Sequence, residues 1–104
     1  MVGNGHPLLA VKCLTRAAAL APREATVHSL LGIALVGADR RADAEQEFLQ
    51  AVKLDPRHVP AQTNLASLYV LESRLEEAEI HFRKALEEDP DNALAHWNLS
   101  LLML

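Results

Sequence analysis

The sequence predicts an all-α protein, a solenoid of antiparallel helix–turn–helix repeats. Three observations carry that expectation. The stretch AVKLDP ends at Pro56, and ALEEDP ends at Pro90, so one motif recurs 34 residues along the chain. Laying residues 25–58 on 59–92 gives identities at Leu31/Leu65, Val36/Val70, Arg40/Arg74, Ala44/Ala78, Glu45/Glu79, Phe48/Phe82, Ala51/Ala85, Asp55/Asp89 and Pro56/Pro90. Half the residues are hydrophobic, yet Phe, Tyr and Trp number only 2, 1 and 1. Alanine and leucine, both good helix formers, supply the apolar surface instead.

Each block reads as two helices. In the first, a helix over 25–37 carries Leu31, Ala34 and Leu35 on its inner stripe, and Gly37-Ala38-Asp39 is its stop and turn. A second helix over 42–54 places Ala44, Phe48 and Ala51 on one face, because spacings of four and three return to the same side. Asp55-Pro56 closes it, since proline lacks the amide hydrogen a helix interior needs and restricts the residue before it. The second block repeats the plan. A helix over 60–72 points Leu65, Leu68 and Tyr69 inward, Ser73-Arg74 turns, and a helix over 76–88 carries Ala78, Phe82 and Ala85 to Asp89-Pro90.

Partial units flank these blocks. Residues 8–21 read as a second helix, with Ala10, Leu14 and Ala17 one period before Ala44, Phe48 and Ala51. Residues 93–104 read as a first helix, with Leu99 one period after Leu65. The expectation is therefore one repeat domain over 8–104 (partial unit 8–24, full units 25–58 and 59–92, partial unit 93–104), preceded by a flexible end over 1–7 that includes Gly3-Asn4-Gly5. The length suits a single domain with a modest core.

Composition excludes several functions. Net charge is −4, and Arg40-Arg41 is followed at once by Asp43, Glu45 and Glu47, so the basic stripe of a nucleic-acid surface is absent. Anionic membranes are disfavoured for the same reason. Cys13, the only cysteine, excludes an internal disulfide and a cysteine-rich metal site, and reads as a buried or half-buried thiol. Lys12 and Arg16 interrupt the apolar run after Leu8, and residues 30–38 are too short to span a bilayer, so a cytoplasmic, soluble protein is expected. No phosphate loop, HExxH or CxxC pattern occurs, and the five histidines are spread along the chain. The pairs Glu76-Glu77 and Glu87-Glu88 read as solvated helix faces. No catalytic residue, metal or cofactor is expected.

The period and the residues Leu31-Gly32, Leu35, Ala44, Phe48, Ala51 and Pro56, with Leu65-Ala66, Tyr69, Ala78, Phe82, Ala85 and Pro90 in the next block, resemble the tetratricopeptide repeat. The resemblance covers 8–104 and implies a right-handed α-solenoid. Small residues at Gly32, Ala66 and Ser100 let the helices approach closely, and Phe48 and Phe82 fill the space between them. The chain departs from the family at His28, Gln62 and His96, where a bulky aromatic is common, and at Asp39 and Ser73, which stand for its turn glycine.

The resemblance implies a non-catalytic scaffold for protein–protein contact, whose first helices line a concave groove. Groove candidates for an extended peptide are Thr26, Ser29, Ile33, Thr63, Asn64, Ser67, Leu71, Trp97, Asn98 and Leu101, with Leu30, Val36, Val70 and Leu94 beside them. Asn64 and Asn98, one period apart, are placed to grip a peptide backbone, as asparagines do in some members attached to sugar transferases; Leu30 breaks that ladder. The clamp of basic residues and asparagines with which other members hold a peptide's C-terminal carboxylate survives only at Asn64, since the other matching positions hold Ser29 and Ile33. Trp97 is the expected anchor. The apolar end, LSLLML, has two readings: the array continues beyond these residues, or Leu99, Leu101, Leu102, Met103 and Leu104 join another copy of the chain as a homo-oligomer. An accessory domain of a larger bacterial transferase is a further alternative. The partner expected throughout is a protein or peptide.

Overall fold

The computed structural model describes residues 7–103. These form α1 (Pro7–Leu20), α2 (Ala25–Gly37), α3 (Arg41–Leu54), α4 (Val59–Leu71), α5 (Leu75–Glu88) and α6 (Ala93–Leu102), and no strand occurs among them. Gly3-Asn4-Gly5 and Leu104 lie outside the described residues. Helix α1 starts at Pro7, inside the segment expected to be flexible; proline's fixed φ suits a first helical position.

The helix ends follow from local chemistry that repeats. At the end of α2 the Arg40 amide donates to the Leu35 carbonyl at 2.8 Å and the Asp39 amide to Val36 at 3.0 Å. At the end of α4 the Arg74 amide donates to Tyr69 at 2.8 Å and the Ser73 amide to Val70 at 3.0 Å. This paired closure forces the residue at the bend into the left-handed region. Asp39 has φ 61° and Ser73 φ 59°, without the glycine that would relieve it. Helix α6 is capped by Asn92, whose side-chain oxygen accepts from the Ala95 amide at 2.9 Å.

The apolar stripes meet as the spacing predicts. Leu31 and Leu35 of α2, Leu65, Leu68 and Tyr69 of α4, and the Ala-Phe-Ala faces of α3 and α5 are all buried. The Phe48 ring packs against Gly32, so closely that a β-carbon there would stand 2.6 Å from Phe48 Cδ1. A stack of this kind curves. Helix α2 touches α4, and α4 touches α6, whereas α1, α3 and α5 do not touch one another. The first helices therefore lie on the inner, shorter side of the arc.

A polar clamp joins the two blocks. Tyr69 donates its hydroxyl to Glu45 Oε2 at 3.0 Å, and Arg74 Nη1 donates to Glu45 Oε1 at 2.9 Å. The Arg74 guanidinium also lies 4.3 Å from the centre of the Tyr69 ring. Burial, then the bond to Glu45, pushes the Tyr69 hydroxyl up to about 12.

Cys13 corrects the sequence reading: its side chain is exposed. It occupies the position of Glu47 and His81 in the next two units, which face the first helix of their own unit. Among the described residues, no first helix precedes α1.

Candidate functional site

The inner side of the arc is built from α2, α4 and α6, and none of the three contains a Lys, Arg, Asp or Glu. Between α2 and α4 lies a hollow of about 170 Å³, lined by Ile33, Val36, Phe48, Asn64, Ser67, Leu68 and Leu71. That is below the roughly 300 Å³ at which small-molecule sites begin. It has room for one apolar side chain, and the polar residues of its lining are Asn64 and Ser67.

Four of the expected groove residues, Ile33, Asn64, Ser67 and Leu71, meet in this hollow. Asn64 Nδ2 donates to Ser29 Oγ at 3.3 Å, which ties Ser29, itself buried, to the same site. Thr63 is placed otherwise. It is buried, and its hydroxyl lies 3.1 Å from the carbonyls of Val59 and Pro60 in its own helix. Thr26 is exposed at the start of α2. Asn98 Nδ2 donates to the Leu94 carbonyl of its own helix at 3.0 Å. Trp97 is 66% exposed, with Leu94 and Leu101 about half exposed beside it. Among the residues expected at an oligomer interface, Leu99 and Leu102 are half-buried against the chain's own core, while Leu101 and Met103 are exposed.

The sequence reading missed a polar ladder on the other side of the first helices. His28 Nε2 donates to the Pro22 carbonyl at 2.8 Å, Gln62 Nε2 to Pro56 at 3.0 Å, and His96 Nε2 to Pro90 at 2.6 Å, each over six residues. The same side chains reach the second helices. His28 Nδ1 lies 2.8 Å from Glu47 Oε1, and Gln62 Oε1 lies 2.7 Å from His81 Nδ1, both over nineteen residues. One tether thus holds the inter-unit proline loop, and the other holds the helix pair. The signal was a polar residue recurring at one period among apolar neighbours, at the positions that depart from the family's aromatic.

The two full units shift the histidine of this tether in opposite directions. At His28 burial works against the cation, but the bonds to Glu47 and Pro22 and the Glu47 charge outweigh it, so the pKa is raised. With both ring nitrogens facing acceptors, the imidazolium is the form that satisfies both. At His81 burial, helped by the charge of Lys84, pulls the pKa down, and Nδ1 donates to the Gln62 amide oxygen.

The tetratricopeptide repeat family model matches residues 29–93. The chain belongs to the tetratricopeptide repeat family. Solved structures of that class superpose closely. The Arabidopsis OM64 TPR domain is 28% identical, with a TM-score of 0.86 over 90% of this chain and 78% of its own. The first TPR of Spaghetti (RPAP3), bound to the HSP90 peptide SRMEEVD, is 22% identical, with a TM-score of 0.85 over 89% of this chain and 74% of its own. The second TPR domain of human RPAP3, in complex with the HSP70 peptide SGPTIEEVD, is 24% identical, with a TM-score of 0.83 over 90% and 78%. No curated protein matches the sequence. Among the described residues of this repeat protein, no three His, Cys, Asp or Glu side chains come together as a metal site would require, and no helix is long and apolar enough to cross a membrane.

Proposed function

We propose that this chain is a non-catalytic scaffold whose groove takes an extended, uncharged segment of a partner protein. The observation that carries the reading is the hollow between α2 and α4, lined mostly by apolar side chains together with Asn64 and Ser67. One apolar side chain of the segment enters it. Asn64 then bonds the segment's backbone, since its amide both donates and accepts. Asn98 offers a second amide one period on, and Trp97 supplies an exposed aromatic surface.

The two RPAP3 domains are seen with peptides that end in acidic residues. Recognition of such a tail calls for cations, because charge-assisted bonds to carboxylates are the strong ones. The first helices here have neither lysine nor arginine. The expected ligand is therefore neutral and apolar at its centre.

Fluorescence anisotropy with labelled heptapeptides tests this. Peptides with one central Leu or Phe flanked by uncharged residues should outbind SRMEEVD. Asn64→Ala should weaken them about three- to tenfold, the worth of one net hydrogen bond. Ile33→Arg should abolish binding. Equal binding of SRMEEVD, or indifference to both substitutions, would sink the reading.

A further inference from the structure

Helices α2, α4 and α6 carry the same seat for a second helix. In α2 it is His28, Leu31, Gly32 and Leu35, and in α4 it is Gln62, Leu65, Ala66 and Tyr69; α3 and α5 bury both sets. At α6 the equivalent residues are His96, Leu99, Ser100 and, just past its last turn, Met103. Three are exposed and Leu99 is half-buried, and the four line a hollow of about 300 Å³.

Helix α1 is the converse. By the period it is a second helix, with Ala10, Cys13, Leu14 and Ala17 where α3 has Ala44, Glu47, Phe48 and Ala51. One side of it packs on α2 through Val11 and Leu14. Leu9, Cys13 and Leu20 are exposed, and Leu9, Lys12, Cys13 and Arg16 border a hollow of about 630 Å³. The two ends also differ in charge. Helix α1 holds Lys12 and Arg16 and no acidic residue, whereas α5, beside α6, holds five acidic residues against two basic ones. Such a difference steers one end toward the other.

We propose that α6 of one copy seats α1 of a second copy, so that two chains complete one repeat. The polar ladder sets the register. Position 47 meets 28 and position 81 meets 62, so Cys13 of the second copy meets His96, and its Leu14 lies over Ser100. The contact is head-to-tail and leaves the same seat open on the next copy, which gives linear assemblies. This goes beyond the groove reading, which stands or falls separately by peptide binding.

The experiment uses the 104-residue chain and its single cysteine. His96→Cys, oxidised with copper–phenanthroline, should give a disulfide-linked ladder of dimer, trimer and larger species that collapses to monomer on adding thiol. It should form roughly tenfold or more faster than with Lys53→Cys, an exposed control in α3, because docking raises the effective concentration of the two thiols. Cys13→Ser in the His96→Cys background should remove the ladder. Light scattering of the unmodified protein should rise above 11.4 kDa with concentration, and Ser100→Glu should return it to that mass. Ser100 is exposed in the single copy, so this variant still folds. Equal cross-linking rates for the two cysteine variants, or a constant 11.4 kDa at every concentration, would overturn the proposal.

Discussion

Single positions set how closely the helices approach. At Gly32 a β-carbon would stand 2.6 Å from Phe48 Cδ1 and 2.8 Å from its Cζ. Alanine there gains about 1 kcal/mol of helix propensity, but overpacking costs roughly 1–3 kcal/mol. Gly32→Ala is expected to lower stability by about 1 kcal/mol, read as a fall of several degrees in Tm. Ala78 is fully buried, and leucine there should cost about 1–3 kcal/mol; an unchanged melting temperature would refute that. The tether at His28 supplies a test with a sign. His28→Gln leaves Glu47 facing an amide oxygen and should cost about 1–3 kcal/mol, while adding Glu47→His installs the pair found at Gln62 and His81 and should recover most of it. The swap should also remove one limb of the pH dependence. The raised pKa of His28 gives stability that is full below about 6.5 and is lost as pH rises through the folded value. The lowered pKa of His81 gives stability that is full above about 6.5 and falls as pH drops toward the folded value. Urea unfolding of both proteins between pH 5 and pH 8 separates the two, since the swapped protein keeps only the acid-side loss.

Whole elements were legible where periodicity and punctuation agreed. The ends of α3 and α5 fall just before Asp55-Pro56 and Asp89-Pro90, as backbone chemistry requires. The start of α4 fell one residue early, at Val59, because a proline in the first turn does not by itself fix the boundary. The closures of α2 and α4 were located by sequence, but their cost was not. Both bends need positive φ, and the chain meets it with Asp39 and Ser73. Serine tolerates that region less well than aspartate, whose side chain compensates locally. Ser73→Gly should therefore stabilise the protein by about 1 kcal/mol, with a smaller gain for Asp39→Gly, both measurable by denaturant midpoint at constant m.

Across the molecule, contacts run between neighbouring helices and along the inner row of first helices. Stability in such a stack is local, a sum of units and their interfaces. Helix α4 holds seven buried residues, α6 one and α1 none. In dilute solution, amide hydrogen exchange should proceed first in α1 and α6 and last in α4, and uniform protection across the six helices would contradict this. The residues that decide these properties were only partly visible beforehand. Ile33, Asn64, Ser67 and Leu71 were marked from their place on the first helices, and they do share one hollow. Thr63, marked by the same rule, is buried with its hydroxyl on its own helix. Sequence alone determined the repeat, the six helices, their stops and their apolar faces, because these depend on spacing and on backbone chemistry within a few residues. Tertiary structure decided which polar side chains face the groove, which ones tether the loops, and in which direction His28 and His81 shift. Those outcomes depend on contacts between residues far apart in the chain, and on the burial and neighbouring charge that only packing supplies.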